Sequence, residues 1–487
     1  MRLFDLLKMN YETRKDREYV YTKIDGVYSP ITFGELIESA IYLGRALNKK
    51  GLKNKRIIVY GENSVEWMIA DLATMGFVGV NIGIDKEWKY SDVRNTLSFL
   101  EASAVIYSES KAAIIDQLKS EFIGVDFISM SEDLPSLISH GKELSQGLDL
   151  FDCTPRDENE CIRVVFSSGT VSFPKAVMLS DKNIFSGWES LNRRAPMDEN
   201  DICYLFLPLH HTYAGIYNFI YSLISGLRIY LGTGVQNIAQ ELREVNPTVF
   251  CGVPIIYKRF YEAVGGNLDY LRLAFGSRMK YLFCGGAYLD EDIRAKYREA
   301  GLNLLIAYAL SETGSSFAIE YSGSTNLKSV GTIYEDIDVI IADKNEAGEG
   351  EIRVKGDNVF LGYMNNPEAT AKAFDDNGYF CTGDIGSVDS EGNLYLLGRK
   401  KRMILMDNGE NIYPQNIEQR ILEKNSNIQT VRVYLDNMVL KATIYLKEED
   451  SFDYDELIRQ VNEEAVKNER ISAFETVLDS VDKRMKQ

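Results

Sequence analysis

The feature that most constrains the fold is an alternation of helix-like and strand-like segments along much of the chain. The stretch "TFGELIESAIYLGRALNKKG" spaces its apolar residues as a helix does and ends at Gly51, a plausible C-cap. "RIIVYG" follows as a short buried strand, "SVEWMIADLATMGFVGV" as a helix with Ser64 as candidate N-cap, and "SAVIYS" as another strand. This order predicts layered α/β architecture with a mostly parallel sheet.

A second α/β stretch is predicted from roughly Cys161 to Tyr321. Its strand candidates are "CIRVVFS", "DICYLFLP", "LRIYLG", "PTVFCG", "MKYLFCGG" and "NLLIAYAL". After about Ile340 the pattern changes to antiparallel strands joined by tight turns, in "DVIIAD", "GEIRVKG" and "NLYLLGR". From about Lys400 a hairpin is expected around the Asn-Gly of "RMILMDNGENIY", followed by a helix in "NIEQRILEKN".

Composition narrows the class of protein. A chain of 487 residues is long enough for two or three domains. Its net charge of −18 argues against binding to nucleic acid or to anionic membranes. Three histidines are too few for a His-rich metal site. No apolar run is long enough to span a membrane and the N-terminus has no signal-like apolar region, so we expect a cytoplasmic protein.

The stretch "VFSSGTVSFPKAVMLS" follows a predicted strand and carries a Ser-Thr-Gly cluster and a Pro-Lys pair. A Walker loop has the form G-x-x-x-x-G-K-[ST]. Here Pro174 stands in place of the second glycine, and Ala176 rather than a hydroxyl residue follows Lys175. The hydroxyl and backbone donors of this stretch nevertheless suit a phosphate. The residues alone leave two possibilities, a phosphate-binding loop and an ordinary turn after a strand.

The stretch resembles the phosphate loop of the adenylate-forming superfamily, which includes acyl-CoA synthetases, luciferases and adenylation domains. The family pattern S-[ST]-G-T-T-G-x-P-K-G-V is similar to SSGTVSFPKAV, with two family glycines replaced by Ser172 and Ala176. The resemblance implies that the loop holds the β- and γ-phosphates of ATP, that Lys175 adds positive charge, and that Thr170 contributes to catalysis and to a Mg²⁺ site. The nucleotide-binding residues implied by the loop are Ser167, Ser168, Gly169, Thr170 and Lys175.

Further segments resemble family motifs in the family's order. "FLPLHHTYAG" is similar to L-P-x-x-H-x-x-G and implies that His211 lies where the routes of the carboxylate and the thiol meet. "CGGAYL" is similar to the adenine-binding segment and implies contacts from Gly285, Gly286 and Ala287.

Three further motifs supply the rest of the implied nucleotide site. "AYALSETG" resembles Y-G-x-[ST]-E, with Ala309 replacing glycine. It implies that Tyr308 stacks on adenine, that Ser311 contacts the α-phosphate, and that Glu312 binds Mg²⁺, an ion that prefers oxygen ligands. "GYFCTGDIG" and "LLGRKKRMILMDNGENIYPQNIE" resemble the two ribose-binding segments. They imply roles in ribose binding for Asp384 and Arg399.

The resemblance covers nearly the whole chain and implies a large N-terminal domain, 1–399, of layered α/β subdomains plus a β-rich subdomain. A small, mobile α+β domain, 400–487, follows it. The family hinge falls at Lys401–Arg402, where Arg402 replaces the frequent aspartate. The catalytic lysine near the C-terminus corresponds best to Lys483, with Arg484 and Lys486 as alternatives.

The implied activity is an acid–thiol ligase reaction. ATP and Mg²⁺ activate a carboxylic acid to an acyl-adenylate with release of pyrophosphate, and the acyl group passes to coenzyme A or to a separate acyl-carrier protein. "FLPLHHTYAG" has no acidic residue to pair with an α-ammonium group, so a fatty or aryl acid is expected. Two alternatives stay open: a catalytically degenerate nucleotide- or acyl-binding relative, and an unrelated P-loop ATPase.

Overall fold

A computed structural model describes most of the chain. The described residues are 1–167, 174–405, 411–436, 439–465 and 469–478. The chain divides into two compact units, each formed from two segments. Unit 1 is Met1–Asp338 with Lys355–Gly378, and unit 2 is Val339–Val354 with Tyr379–Gln487. The domain boundary expected at 399/400 lies within unit 2 and stays a prediction.

The helices and strands follow in chain order. The α-helices are α1 (Leu3–Arg14), α2 (Phe33–Lys49), α3 (Val65–Ala73), α4 (Tyr90–Leu100), α5 (Ala112–Lys119), α6 (Asp133–Leu144), α7 (Asp181–Phe185), α8 (Trp188–Arg194), α9 (Tyr221–Ser225), α10 (Ile238–Val245), α11 (Pro254–Ala263), α12 (Leu268–Ala274), α13 (Glu291–Glu299), α14 (Pro367–Ala373), α15 (Pro414–Lys424) and α16 (Tyr454–Glu464). The strands are β1 (Glu18–Ile24), β2 (Val27–Thr32), β3 (Arg56–Tyr60), β4 (Val80–Ile84), β5 (Ala104–Tyr107), β6 (Asp126–Ser129), β7 (Cys161–Phe166), β8 (Ala176–Ser180), β9 (Ile202–Leu205), β10 (Arg228–Leu231), β11 (Val249–Gly252), β12 (Tyr281–Cys284), β13 (Leu304–Ala309), β14 (Ser316–Ile319), β15 (Thr332–Ile333), β16 (Asp338–Ala342), β17 (Gly350–Lys355), β18 (Gly362–Tyr363), β19 (Phe380–Val388), β20 (Leu394–Arg399), β21 (Ile404–Leu405), β22 (Asn411–Ile412), β23 (Ile428–Asp436), β24 (Val439–Leu446) and β25 (Ile471–Leu478). The described residues also include π-helices at Thr74–Val78 and Tyr213–Ile220 and 3₁₀ turns at Glu109–Lys111, Val235–Asn237, Ser311–Thr313 and Lys400–Arg402.

Helix α2 shows how the local sequence specifies an element. The Thr32 hydroxyl accepts from the Glu35 N–H, and the Glu35 carboxylate accepts from the Thr32 N–H, so the helix begins with a capping box. Its buried positions recur every three or four residues, which gives one apolar face toward the core. The Ser64 hydroxyl caps α3 in the same way by accepting from Trp67 N–H, and the predicted N-cap is confirmed.

Unit 1 contains two large sheets. One has the order β15-β14-β13-β12-β11-β9-β10-β1-β2 and is parallel from β13 to β1. The other has the order β18-β8-β7-β4-β3-β5-β6 and is parallel from β7 to β6. Each sheet packs helices onto it around its own apolar core. The prediction of mostly parallel α/β layers is confirmed for both halves of the unit.

Sheet membership departs from chain order in two places. The N-terminal hairpin β1–β2 does not join the strands that follow it but pairs in parallel with β10 of the nine-stranded sheet. Strand β7, predicted as part of the second α/β stretch, pairs with β4 of the first. The apolar pattern of a strand fixes its burial but not its neighbour, so neither pairing was visible in the sequence.

In its described residues, unit 2 contains mostly antiparallel strands and the helices α15 and α16, whereas the pair β24–β25 is parallel. Strands β16, β17, β19 and β20 form one sheet, as the turn-rich sequence predicted. The hairpin predicted around Asn-Gly is confirmed by the antiparallel pair β21–β22. Its turn, 406–410, lies outside the described residues. Strands β23 to β25 form a third sheet that shares an apolar core with α15 and α16.

Asp181 is a buried carboxylic acid that ties the N-terminus into unit 1. It opens α7, and its Oδ1 accepts from the main-chain N–H of Leu3 at 2.9 Å. Burial raises the pKa of Asp181 to about 6, and the Leu3 hydrogen bond and Arg156 oppose this only in part. The folded chain therefore holds a proton on Asp181 more tightly than the unfolded chain, whose carboxyl titrates near 3.8.

We expect Asp181 to make the protein less stable as the pH rises from about 4 to about 6. Below that window the acid is protonated in both states, and above it burial of the charge costs about 3 kcal/mol, at about 1.4 kcal/mol per pKa unit. Urea unfolding of wild type and Asp181→Asn between pH 4 and 7 measures the effect, and the variant should lose this fall. Asp5→Asn is the control, because Arg2 lowers the pKa of Asp5. An unchanged slope in Asp181→Asn would contradict the assignment.

Candidate active site

The Ser-Thr-Gly loop connects two strands of one sheet. Strand β7 leads into it, β8 leaves it, and the Ser167 N–H donates to the Lys175 carbonyl at 3.1 Å. Because β7 and β8 are antiparallel neighbours, the loop differs from a Walker loop, which leads from a strand into a helix. This connection argues against the P-loop ATPase alternative. Ser168, Gly169 and Thr170 lie outside the described residues, and their roles stay predictions.

Tyr363 connects two charged residues that the sequence motifs place far apart. Its hydroxyl donates to Oε1 of Glu312 at 2.9 Å. The Nζ of Lys175 lies 4.3 Å from the centroid of the same ring, which is a cation–π contact. Burial and the adjacent Glu312 carboxylate raise the pKa of Tyr363, so its hydroxyl stays a donor. The structure therefore brings Glu312, in the turn after β13, next to the Lys175 end of the loop.

Sequence reasoning missed Tyr363. The available signal was a Gly-Tyr pair in "VFLGYMNNP", which by itself indicates only a strand end beside a turn. The pair forms the short strand β18, which extends the sheet antiparallel to β8. That pairing, between residues far apart in the chain, places the Tyr363 ring next to Lys175, where the loop ends.

The predicted adenine contacts lie at neighbouring strand ends. Gly285, Gly286 and Ala287 follow β12, and Tyr308 lies near the end of β13, its parallel neighbour. Gly286 has φ of +84°, which favours glycine. The Tyr308 ring is nearly buried and packs edge-on against Phe317 at 4.8 Å between centroids. The structure thus brings these four predicted residues to one edge of the nine-stranded sheet.

Ser311 and Glu312 form the short turn after β13. Glu312 is buried, while Ser311 is half-buried. The Thr313 hydroxyl donates to the Ser315 carbonyl and accepts from the Leu310 N–H, which fixes the turn. These hydrogen bonds fix the main chain on both sides of Glu312.

His210 and His211 occupy different environments although their rings lie 4.1 Å apart. The ring of His210 is buried, and burial lowers its pKa to about 2, so it is neutral in the folded protein at ordinary pH. His211 is exposed, yet surrounding protein atoms also lower its pKa, against an opposing effect of Asp85. His211 is therefore the histidine that a substrate can reach.

In unit 2, Asp384 and Arg399 are direct cross-strand partners on β19 and β20. The Nε of Arg399 lies 2.9 Å from Oδ1 of Asp384. The Thr382 hydroxyl accepts from the Asp384 N–H at 3.0 Å. The two predicted ribose contacts are thus adjacent within their own unit.

The predicted hinge, Lys401–Arg402, lies in the 3₁₀ turn that follows β20. Lys401 is exposed, and Arg402 donates through Nη2 to the buried carboxylate of Glu418 on α15. The same carboxylate accepts from the Val433 N–H at 2.8 Å. Arg402, the departure from the family's usual aspartate, is therefore bound to the C-terminal part of unit 2. Lys483 and its alternatives Arg484 and Lys486 lie outside the described residues.

The Glu312 carboxylate suits a Mg²⁺ ion that takes its other ligands from phosphate oxygens and water. Over the described part of the chain, no group of three or more His, Cys, Asp or Glu side chains could hold a metal ion. Mg²⁺ commonly takes one or two carboxylates, with phosphate oxygens and water as its other ligands. The single Glu312 carboxylate beside the loop fits this pattern.

The described helices include none that is long and apolar enough to cross a membrane.

Comparisons with known proteins agree with this geometry. A family model described as "AMP-binding enzyme" matches residues 7–364. The long-chain-fatty-acid–CoA ligase FadD15 of Mycobacterium bovis is 26% identical over 464 residues, covering 84% of this chain and 76% of that protein. The palmitoyl-CoA ligase FUM16 of Gibberella moniliformis is 24% identical over 562 residues, covering 98% and 82%.

Two solved structures match nearly the whole chain. ATP-bound MatB from Rhodopseudomonas palustris has a TM-score of 0.84 at 22% identity, covering 98% of this chain and 95% of MatB. The complex of Bacillus subtilis o-succinylbenzoate coenzyme A synthetase with ATP and magnesium has a TM-score of 0.81 at 20% identity, covering 97% and 95%. The predicted fold class, a layered α/β chain with a large N-terminal and a smaller C-terminal part, is confirmed.

Proposed function

We propose that this chain, which belongs to the AMP-binding enzyme family, is an AMP-forming acid–thiol ligase. It activates a fatty or aryl acid, not an α-amino acid, to an acyl-adenylate with release of pyrophosphate, and then transfers the acyl group to a thiol. The observation that carries the proposal is the contact of Tyr363 with both Glu312 and Lys175, beside the loop that opens at Ser167.

Adenylation makes the acid reactive. A free carboxylate is a poor acyl donor because its leaving group would be an oxide ion. In the first step a carboxylate oxygen bonds to the α-phosphorus of ATP, and the bond from that phosphorus to pyrophosphate breaks. Negative charge on the phosphoryl oxygens is stabilised by donors placed in advance. We assign this role to the loop residues Ser167 to Thr170 and to the ammonium group of Lys175.

Glu312 and Thr170 would hold the Mg²⁺ ion. When bound, the ion supplies positive charge that offsets the charge on the phosphates. The Tyr363 hydroxyl orients the Glu312 carboxylate by donating to Oε1. The proposal therefore gives Tyr363 a supporting role that the sequence motifs did not suggest.

The nucleoside is assigned to the predicted adenine-binding and ribose-binding residues. Gly285, Gly286 and Ala287 would contact the adenine ring, with Tyr308 stacking on it, because glycine allows the backbone to approach a flat ring. Ser311 would contact the α-phosphate. The ribose hydroxyls would donate to Asp384, with Arg399 alongside; the Arg399–Asp384 ion pair keeps that carboxylate oriented.

The expected acid class is supported by tyrosines that follow His211. Tyr213 donates its hydroxyl to the Phe283 carbonyl at 2.8 Å, and its ring lies near Gly285. The Tyr217 hydroxyl bonds to Ser316. Both tyrosine hydroxyls are hydrogen-bonded to other protein atoms. We propose that the apolar faces of the two rings are left for a substrate. Such surface suits a fatty or aryl acid and offers no carboxylate to pair with an α-ammonium group.

In the proposed thiol step, the small C-terminal domain, 400–487, takes up a second arrangement. We propose that it rotates about Lys401–Arg402 after adenylation and opens a route for the thiol past His211. Thiolate attack on the acyl carbon forms the thioester, and the bond to AMP breaks. Coenzyme A is the proposed acceptor, with a separate acyl-carrier protein as the other thiol of the same chemistry. We further propose that the protein works in the cytoplasm.

ATP–pyrophosphate exchange tests the proposal directly. Purified protein is incubated with ATP, Mg²⁺, labelled pyrophosphate and single acids from fatty, aryl and α-amino classes. We expect exchange with fatty or aryl acids and none with α-amino acids, and we expect AMP as the nucleotide product once coenzyme A is added. Nucleotide binding without exchange would favour the non-catalytic relative. Release of ADP and phosphate would contradict adenylation.

A further inference from the structure

The main chain just before His211 is held by side chains from elsewhere in unit 1. The Asn63 amide makes two hydrogen bonds to it. Its Nδ2 donates to the Leu207 carbonyl at 2.8 Å, and its Oδ1 accepts from the Leu209 N–H at 2.9 Å. An amide with both groups paired to the same segment fixes the position of that segment along its length.

A buried ion pair holds the next main-chain group of this segment, the Leu209 carbonyl. Nη2 of Arg163 donates to the Leu209 carbonyl at 2.6 Å, and Nη1 donates to Oδ2 of Asp71 at 3.0 Å. Both charged side chains are fully buried, and Asn81 donates to the other Asp71 oxygen at 2.9 Å. An ion pair with these added hydrogen bonds gives a fixed geometry that a surface pair lacks.

Two glycines make room for this arrangement. A Cβ at Gly215 would lie 2.5 Å from Nη2 of Arg163 and 2.6 Å from the Leu209 carbonyl oxygen. A Cβ at Gly83 would lie 3.0 Å from Cα of His210. The segment before His211 is therefore packed closely from two sides as well as hydrogen-bonded.

We propose that Asn63 and Arg163 are positioning residues that place the His211 imidazole by holding Leu207–Leu209. The inference rests on the proposed function, which puts His211 where the acid and thiol routes meet. Since reacting groups must be aligned closely, a displacement of the order of 1 Å costs up to about 10²-fold in rate. Neither residue touches substrate, and both act through His211.

A double-mutant cycle separates this role from a general effect on folding. The variants are Asn63→Ala, His211→Ala and the double variant, assayed for thioester formation from acid, ATP and coenzyme A. We expect Asn63→Ala to lower kcat by about 10–100-fold, but the double variant to be no slower than His211→Ala alone. Asn48→Ala is the matched control, because Asn48 is another half-buried asparagine that donates to a main-chain carbonyl, that of Phe77 at 2.9 Å. It should leave kcat unchanged.

The outcomes distinguish the two levels of the proposal. If the losses from Asn63→Ala and His211→Ala multiply in the double variant, Asn63 does not act through His211 and the inference is wrong. Wild-type kcat in Asn63→Ala would overturn it as well. A wild-type protein inactive with every acid class would instead refute the proposed function, and this inference with it. Arg163→Lys, which keeps the charge and shortens the reach, should repeat the Asn63→Ala pattern in the same cycle.

Discussion

Glu312→Gln is expected to lower ATP–pyrophosphate exchange by about 10²–10³-fold, the loss typical of removing one electrostatic group from a transition state. The amide is nearly the same size as the carboxylate and can still accept from the Tyr363 hydroxyl, so folding should be unaffected. What is lost is a charged oxygen ligand for Mg²⁺. Exchange rates measured across a Mg²⁺ titration should show a higher Mg²⁺ requirement as well as a lower maximum.

Tyr363→Phe is the matched variant for Glu312→Gln. It removes the hydrogen bond to Glu312 but keeps the carboxylate and the ring that lies under Lys175. A single hydrogen bond to a charged group contributes about 1.5–3 kcal/mol, so we expect a loss of about 10–100-fold. Exchange in Glu312→Gln at the wild-type level, with unchanged Mg²⁺ dependence, would remove Glu312 from the metal site.

Lys483→Ala is expected to lower pyrophosphate exchange by a similar factor, about 10²–10³-fold. The resemblance implies that this lysine bridges the carboxylate and the α-phosphate, where charge develops during adenylation. It has no such role once the acyl-adenylate exists. Thioester formation from synthetic acyl-adenylate and coenzyme A should therefore proceed at the wild-type rate. The split between the two half-reactions is the measurement that identifies the catalytic lysine.

Arg484→Ala and Lys486→Ala are the controls, and each is also a competing assignment. Both should keep full exchange if Lys483 is the catalytic lysine. Loss of exchange in Lys486→Ala alone would move the role to that residue. Equal loss in both half-reactions for Lys483→Ala would show that the residue supports the fold rather than adenylation.

Much of the candidate site could be predicted because its parts are local in sequence. The "SSGT" and "FPK" segments, the Ser311–Glu312 turn and the Thr382–Asp384 segment each lie within a few residues. Their order along the chain indicated the family without any knowledge of packing. Strands and helices were predicted for the same reason, since apolar period and capping residues act over one or two turns of chain.

The residues that sequence reasoning missed all act through non-local contacts. Tyr363 reaches Glu312 and Lys175 only because β18 pairs with β8. Asn63 and Arg163 reach the segment before His211 from other strands and turns. The residues that flank these side chains in the sequence do not distinguish them from an ordinary strand-end tyrosine, turn asparagine or strand arginine.

By itself, the sequence determined the α/β class and the family, and it supplied most of the candidate site residues as predictions, because each depends on residue type and short spacing. The tertiary structure decided that β1–β2 extends the sheet of β10, that β7 joins the first sheet, and that Tyr363 links Glu312 to Lys175. The physical reason is that a strand's pattern specifies which face is buried, whereas its neighbour is chosen by packing across the whole core. The packing of unit 1 also brings Asn63 and Arg163 to the main chain of Leu207–Leu209.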